Sequence, residues 1–303
     1  MKWKKLGVVF SPNNNYPWMV SHATCPIAEH LAGDLFRIYF SCRDTHDRSH
    51  TGYVEIDITQ PLRVLRISVA PILEPGPIGS FDDSGTMACC LVQRGGKRYL
   101  YYIGWNRSVS VPFRNAIGLA VSDTGSKTFE KYSVGPILDR SVHDPCFVAS
   151  CWVLPPFHLW RMWYLSATQW KSTSEGLRHF YHIKYAESLD GLEWSRSGLI
   201  CIDFKSPEEY AISRPCVLSD DRTYRMWYSY RGLSYRIGYA ESENGLHWER
   251  KDDEVGIDVS ESGWDSEMIE YPFIFDHKGG RYMLYNGNGY GKTGFGLAVL
   301  EHG

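Results

Sequence analysis

The sequence predicts an all-β fold, a five-bladed β-propeller with four antiparallel strands in each blade. Three observations predict it: one strand written five times, a second repeated strand that ends in a hairpin turn, and two chain ends that match. The first strand reads aromatic or basic, apolar, aromatic, aromatic. It occurs as Arg37-Ile38-Tyr39-Phe40, Tyr99-Leu100-Tyr101-Tyr102, Arg161-Met162-Trp163-Tyr164, Arg225-Met226-Trp227-Tyr228 and Tyr282-Met283-Leu284-Tyr285. Its last residues stand at 40, 102, 164, 228 and 285, steps of 62, 62, 64 and 57 residues. A period of that length made of short strands marks a propeller, one repeat to a blade.

Each repeat supplies the other strands in order. An apolar inner strand precedes the aromatic one and is entered through Pro26, Pro145, Pro215 or Pro272, with Ala88 at the matching place in the second repeat. A strand of the form Ile-Gly-Tyr-Ala-Glu-Ser follows at 117–122, 183–188 and 237–242, with a terminal version at 295–298. Two of these run into Asp190-Gly191 and Asn244-Gly245, the strongest short hairpin signal. Trp194 and Trp248 come three residues after those glycines, Phe129 takes a similar place, and a fourth strand follows, as at 198–202. The last repeat stops after its third strand, while residues 3–10 resemble the fourth strand at 194–200. The N-terminal strand is therefore expected to complete the last blade and close the ring, which removes exposed sheet edges. The repeat uses residues 1–303, so a single domain is expected.

Composition limits the partners. With 32 Lys and Arg against 35 Asp and Glu, the net charge is −3, and no basic run suggests a nucleic-acid partner. No window approaches 18 apolar residues, so no membrane-spanning helix is expected. The start, Met1-Lys2-Trp3-Lys4-Lys5-Leu6, lacks an apolar signal region, which points to a cytoplasmic protein, expected as a monomer or weak homo-oligomer. The eight cysteines contain no C-x-x-C pair and read as small core hydrophobes. No P-loop, dinucleotide fingerprint or H-E-x-x-H occurs, so neither a cofactor nor a metal is expected.

The strings Tyr185-Ala186-Glu187-Ser188-Leu189-Asp190-Gly191-Leu192-Glu193-Trp194 and Tyr239-Ala240-Glu241-Ser242-Glu243-Asn244-Gly245-Leu246-His247-Trp248 resemble blades of the five-bladed carbohydrate-active propellers. That superfamily includes glycoside hydrolase families 43, 32, 68 and 130. S-x-D-G-x-x-W is one residue shorter than the sialidase Asp-box, which sets sialidases apart. Resemblance to family 43 implies a general base Asp in blade one, an orienting Asp in blade three and a general acid Glu in blade four. Asp144-Pro145 matches the blade-three step. Blade one reads His22-Ala23-Thr24-Cys25-Pro26 and blade four Ser213-Arg214-Pro215, so two of the three acids have no match. Resemblance to family 130 implies a phosphate site of Arg and His, for which Arg214, His22 and His143 are available.

Other acids near the inner strands are candidates to replace the missing ones. Asp83, Asp144, Glu267 and Glu270 are the expected catalytic carboxylates, while Asp82 and Asp265, each after an aromatic residue, read as turn or capping groups. An inverting glycosidase needs a protonated acid and an ionised base about 6.5–9.5 Å apart, and repulsion between them raises one pKa. Asp144 is expected to orient the sugar, Glu270 or Glu267 to donate the proton, and Asp83 to act as base. For the substrate, His22, Arg43, Trp105, His143, Glu209, Arg214 and Asn286 are expected at the pocket or its rim. Arg214 could grip a carboxylate, sulfate or phosphate. Two function classes follow: an enzyme acting with inversion on a small carbohydrate (hydrolase, phosphorylase or transferase), or a binding propeller that has lost the hydrolytic triad.

Overall fold

A computed structural model describes residues 1–12, 14, 16–155, 159–174, 176–220 and 222–301. Among the described residues the regular structure is nearly all strand, one four-stranded and two eight-stranded sheets in which strands follow one another in antiparallel runs of four. The first set is β2 (Ser21–Ala32), β3 (Leu35–Arg43), β4 (Ser49–Asp57) and β5 (Val64–Ile67). The second is β6 (Gly85–Arg94), β7 (Lys97–Arg107), β8 (Phe113–Asp123) and β9 (Glu130–Lys131). The third is β10 (Phe147–Leu154), β11 (Trp160–Thr173), β12 (Gly176–Ser188) and β13 (Ile200–Ile202). The fourth is β14 (Ala211–Asp220), β15 (Thr223–Arg231), β16 (Tyr235–Ser242) and β17 (Glu249–Arg250). The fifth is β18 (Glu270–His277), β19 (Gly280–Asn286) and β20 (Phe295–Leu300), whose outer edge takes β1 (Trp3–Phe10). β1 pairs antiparallel with β20, Trp3 facing Leu300 and Phe10 facing Phe295.

The five-fold string is the second strand of each set. Its last three residues in every set, such as Ile38-Tyr39-Phe40 and Met226-Trp227-Tyr228, are fully buried. A strand covered on both faces cannot alternate apolar and polar residues, which is why these strings read as unbroken aromatic and apolar runs. The hairpin signals also hold: Gly191 and Gly245 sit at φ of 80° and 75°. The Ser188 hydroxyl accepts from the amides of Asp190 and Gly191, and the Ser242 hydroxyl does the same for Asn244 and Gly245. Each turn then locks onto the preceding set. Tyr101 donates to the Gly191 carbonyl at 2.9 Å, and the Trp163 indole to that of Gly245 at 2.8 Å.

The inner strands β2, β6, β10, β14 and β18 pack in sequence, each against the next, and β18 also packs against β2. Every one carries a bulge opposite the aromatic string, at 25–26, 89, 150, 214–215 and 271–272. Pro26, Pro215 and Pro272 therefore lie within their strands, where a bulge tolerates the missing N–H. Pro145 does not share that place; it precedes β10, whose bulge falls at Ser150.

This register gives Asp144 a scaffold setting. Asp82, Asp144 and Asp265 each stand twenty residues before a tyrosine that ends the string, and each accepts from that hydroxyl: Tyr102 at 3.0 Å, Tyr164 at 3.1 Å, Tyr285 at 3.0 Å. Each also meets a cation near or on a fourth strand: Lys131 at 2.6 Å, Arg196 at 2.7 Å, Lys5 at 2.7 Å. Asp144 is thus the third copy of one clamp. The fourth set builds it from the other side, Tyr228 donating to Asp252, and the first set ends its string in Phe40. Burial opposes ionisation of Asp144, but the hydroxyls of Ser166 and Ser141 and the charges of Lys184 and Arg196 outweigh it and hold the carboxyl below its ordinary range. Asp144→Ala strands Arg196 and the buried Lys184, and the expected cost is about 3–5 kcal/mol. Asp83→Ala breaks only loop hydrogen bonds and should cost no more than about 1.5 kcal/mol. Guanidinium unfolding of the two variants checks this; equal losses would remove Asp144 from the scaffold.

Candidate functional site

The inner-strand bulges face a cavity of about 350 Å³. Residues from all five strand sets line it, among them Cys25 and Arg43 from the first, Trp105 from the second, His179 and Tyr181 from the third, Arg214, Arg231 and Tyr235 from the fourth, and Tyr271 from the fifth. Backbone strain gathers here. Eight non-glycine residues among those described have positive φ, and His22, Cys25, Arg214, Tyr271 and Tyr290, at φ 55–60°, are all in the cavity wall. Such conformations cost on the order of 1–3 kcal/mol each and persist where a site requires them. In three of the five the left-handed residue precedes the bulge proline, which turns the side chains of Cys25, Arg214 and Tyr271 toward the cavity.

Arg214 forms the most buried charge of this wall, 3% exposed. Its guanidinium donates to the carbonyls of Ala88 at 3.0 Å and Cys25 at 3.2 Å, and its amide donates to the Ser150 hydroxyl. One residue therefore ties the bulges of four inner strands together. Arg231 stacks against Tyr210, Tyr235 and Tyr290 and donates to the Tyr290 hydroxyl at 2.6 Å, while its buried Nε has no hydrogen-bond partner among the described residues. Burial and the nearby Arg43 and Lys292 lower His22 to about 4; burial and Arg231 lower His179 to about 4. Both histidines are neutral at pH 7.

Glu270 stands immediately before Tyr271 and is fully buried. Neither carboxyl oxygen has a hydrogen-bond partner of good geometry among the described residues. Burial raises its pKa well above the ordinary value, against the opposing pull of Arg231 and the Tyr271 side chain. Beside it the hydroxyls of Tyr181 and Tyr235 are in direct contact. A buried carboxyl whose pKa is pushed up, with no hydrogen-bond partner of good geometry and next to a cavity wall, has the chemistry suited to a proton donor.

The expected residues divide clearly. His22, Arg43, Trp105 and Arg214 line the cavity, and Glu270 lies directly behind Tyr271. The remaining six do not line it. Asp83 accepts from the Gly79 amide and the Ser84 hydroxyl in the loop before β6. Asp144 is the clamp described above. Glu267 is exposed, its amide bound by Asn288 and its carbonyl by Arg236. His143 is exposed, and Lys184 holds its carbonyl. Glu209 is engaged by Arg250 at 2.7 and 3.0 Å. Asn286 is fully buried and joins the fifth set to the first, accepting from the Cys25 amide at 2.8 Å and donating to the Ala23 carbonyl at 2.7 Å. Sequence reasoning left out the tyrosines of the wall. Tyr271 had a signal, because it precedes Pro272 as Arg214 precedes Pro215. All eight cysteines are free, seven of them buried.

No family model matches the chain. Two proteins from strains of Mycobacterium tuberculosis, the uncharacterized proteins MT1551 and Rv1502, are each 45% identical to it over 302 residues, covering 100% of both chains. The chain belongs to their family. Among solved structures it is similar to BT0996 in its RGII complex, with a TM-score of 0.77 at 17% identity, over 98% of this chain and 91% of that one. It is also similar to a glycoside hydrolase of the GH130 family of mannoside phosphorylases that targets beta-1,2 mannosidic linkages in Candida mannan, at TM-score 0.72 and 15% identity over 99% and 93% of the two chains. A thermostable family-43 glycoside hydrolase gives 0.69 at 15% identity over 94% and 91%. The likeness is one of fold.

The titrations of the wall can be separated by sign. His22 and His179 are lowered from 6.5 to about 4, so between those values the unfolded chain binds more protons and stability rises with pH. Glu270 is raised above 4.5, so its contribution is full below that value and is lost as pH climbs through the folded pKa. The two histidines are the same in the native chain and in Glu270→Gln, so comparing the two proteins isolates the carboxyl. Relative to Glu270→Gln, the unfolding free energy of the native chain should decline as pH rises above 4.5, by up to about 1.4 kcal/mol per pH unit, until the folded pKa is passed. Parallel curves for the two proteins at every pH above 4.5 would show that burial does not raise this carboxyl.

Proposed function

We propose that the chain is a glycoside-acting enzyme on a five-bladed propeller, its ring completed by β1, and that it breaks the glycosidic bond with inversion. The observation that carries this reading is Glu270, a fully buried carboxyl one residue from the cavity wall, with no hydrogen-bond partner of good geometry among the described residues and a pKa that burial raises well above its ordinary value. Departure of the glycosidic oxygen needs a proton, and a group whose pKa lies near or above working pH delivers one. Glu270 has no exposed surface and Tyr271, next in the chain, is a wall residue, so under this reading the proton reaches the leaving oxygen through Tyr271, whose hydroxyl gives one up and takes one from Glu270. Among the described residues no second carboxylate lines the cavity, neither a nucleophile about 5 Å away for retention nor a base about 6.5–9.5 Å away for inverting hydrolysis, so inversion here falls to an attacking group that brings its own charge, such as phosphate. Hydrolysis, phosphorolysis and transfer share this proton path and differ in what attacks the opposite face of the sugar.

A second reading, a carbohydrate-binding propeller without turnover, is favoured by the same full burial of Glu270 and by a wall that carries no carboxylate among the described residues. The two are separated with a panel of glycosides, with and without phosphate, following the anomeric configuration of the product by NMR. Under the enzymatic reading Glu270→Gln lowers turnover about a hundredfold or more. Tyr271→Phe should cause a similar loss, and Glu270→Gln should abolish the alkaline limb of the pH profile. Turnover that is unchanged in both variants would dispose of the proton path. No turnover of any glycoside by the native chain would favour the binding reading.

A further inference from the structure

Three arginines from two strand sets reach the cavity wall: Arg43 at the end of β3, Arg214 at the bulge of β14 and Arg231 at the end of β15. Among the described residues no aspartate or glutamate lines it. Arg214 and Arg231 have no carboxylate within ion-pair distance among the described residues, and Arg43 has only the exposed Asp47 at 3.5 Å. Buried charges are ordinarily paired, because an unpaired one gives up its hydration without compensation. The carbonyls of Ala88 and Cys25 take one N–H from each terminal nitrogen of Arg214, leaving the rest of its five donors. Arg231 Nε and the Ser213 hydroxyl are buried in the same wall with no partner among the described residues. The rest of the wall includes the apolar and aromatic side chains of Met87, Ile103, Trp105, Phe113, Phe147 and Leu165.

We propose that the cavity takes a sugar that itself carries an anionic group, a carboxylate or a phosphate ester, with the anion on the arginines and the ring against the aromatic wall. This rests on the glycoside reading and names its substrate class. The space favours an anion borne on a ring over a free one: about 350 Å³ is of the size that holds a small organic ligand, and an inorganic anion would fill little of it. Planar guanidinium groups suit both carboxylate and phosphate oxygens. Part of the depression of His22 and His179 comes from Arg43 and Arg231, in keeping with a positive potential in the cavity.

The test measures binding, so it does not depend on turnover. Titration calorimetry compares hexuronic acids, hexose phosphates, the neutral parent hexoses and inorganic phosphate, on the native chain and on Glu270→Gln. One anionic class should bind at least about tenfold tighter than its neutral parent, and added salt should erode the difference. Which class it is separates carboxylate from phosphate ester. Arg43→Gln and Arg231→Gln should each remove most of that preference, while Glu270→Gln keeps it. Arg214→Lys should do the same as the other two, and if it fails to fold they still decide the matter. Equal affinity for neutral and anionic sugars, or a preference that survives both glutamine variants, would overturn the proposal. So would saturation by inorganic phosphate with no gain for any anionic sugar, because the anion would then be a separate ligand. Selective binding without any turnover would leave this inference standing and sink the enzymatic one.

Discussion

The site depends on a bulge set at one register of the inner strands. A regular strand would point alternate residues to its two faces and leave the space between the sets lined by whatever the alternation put there. The bulge inserts a residue and re-aims one side chain. At Cys25, Arg214 and Tyr271 the inserted residue is left-handed and is followed by proline, which has no N–H to lose from the ladder. Strain of this kind needs surroundings that over-determine it. Arg214 supplies part of them by bonding backbone carbonyls of β2 and β6, and Asn286 adds the bonds from β19 to Cys25 and Ala23. The groups that shape the cavity therefore also hold the inner strands together.

Much of the fold is legible in the sequence for a physical reason. The second strand of each set is covered on both faces, so its aromatic string stays close to constant while the loops vary, and that constancy gives the period. The outer turns are legible too, because Ser-x-Asp-Gly and Ser-x-Asn-Gly encode their own hydrogen bonds with the serine hydroxyl and the Asp190 or Asn244 side chain. The site is less legible, and Pro145 shows why. Proline marks the bulge in three inner strands but lies ahead of the strand in the third set, so aligning prolines shifts that set by several residues. The shift moves Asp144 onto a catalytic position when its partners place it in the clamp with Asp82 and Asp265. The spacing of twenty residues to a string-ending tyrosine, absent where the string ends in Phe40, was the available signal.

Two kinds of acid result, and their surroundings separate them. Asp82, Asp144 and Asp265 have a tyrosine hydroxyl and a cation each, which replace lost hydration and hold a set to its fourth strand. Glu270 is as deeply buried yet lacks a comparable partner, and burial pushes its pKa well up. Burial alone would raise both kinds; the difference lies in what replaces lost hydration. A scaffold has no use for a carboxyl kept neutral at such cost, since a glutamine or an apolar residue would pack there without the penalty of an unpaired group.

The same reasoning links the carboxyl to the arginines. A neutral Glu270 leaves Arg231 unpaired, and an ionised one would offset part of the positive charge of the wall. The protonation state of one buried group thus sets the net charge that a ligand meets. An anion arriving on Arg231 and Arg214 would raise the Glu270 pKa further, by adding a like charge beside the carboxylate that would form. Binding of an anionic group and retention of the donor proton are then mutually supporting, and the linkage between them is reciprocal. An enzyme built this way holds its acid protonated most firmly while the anion is bound, so the donor is loaded when the substrate is in place.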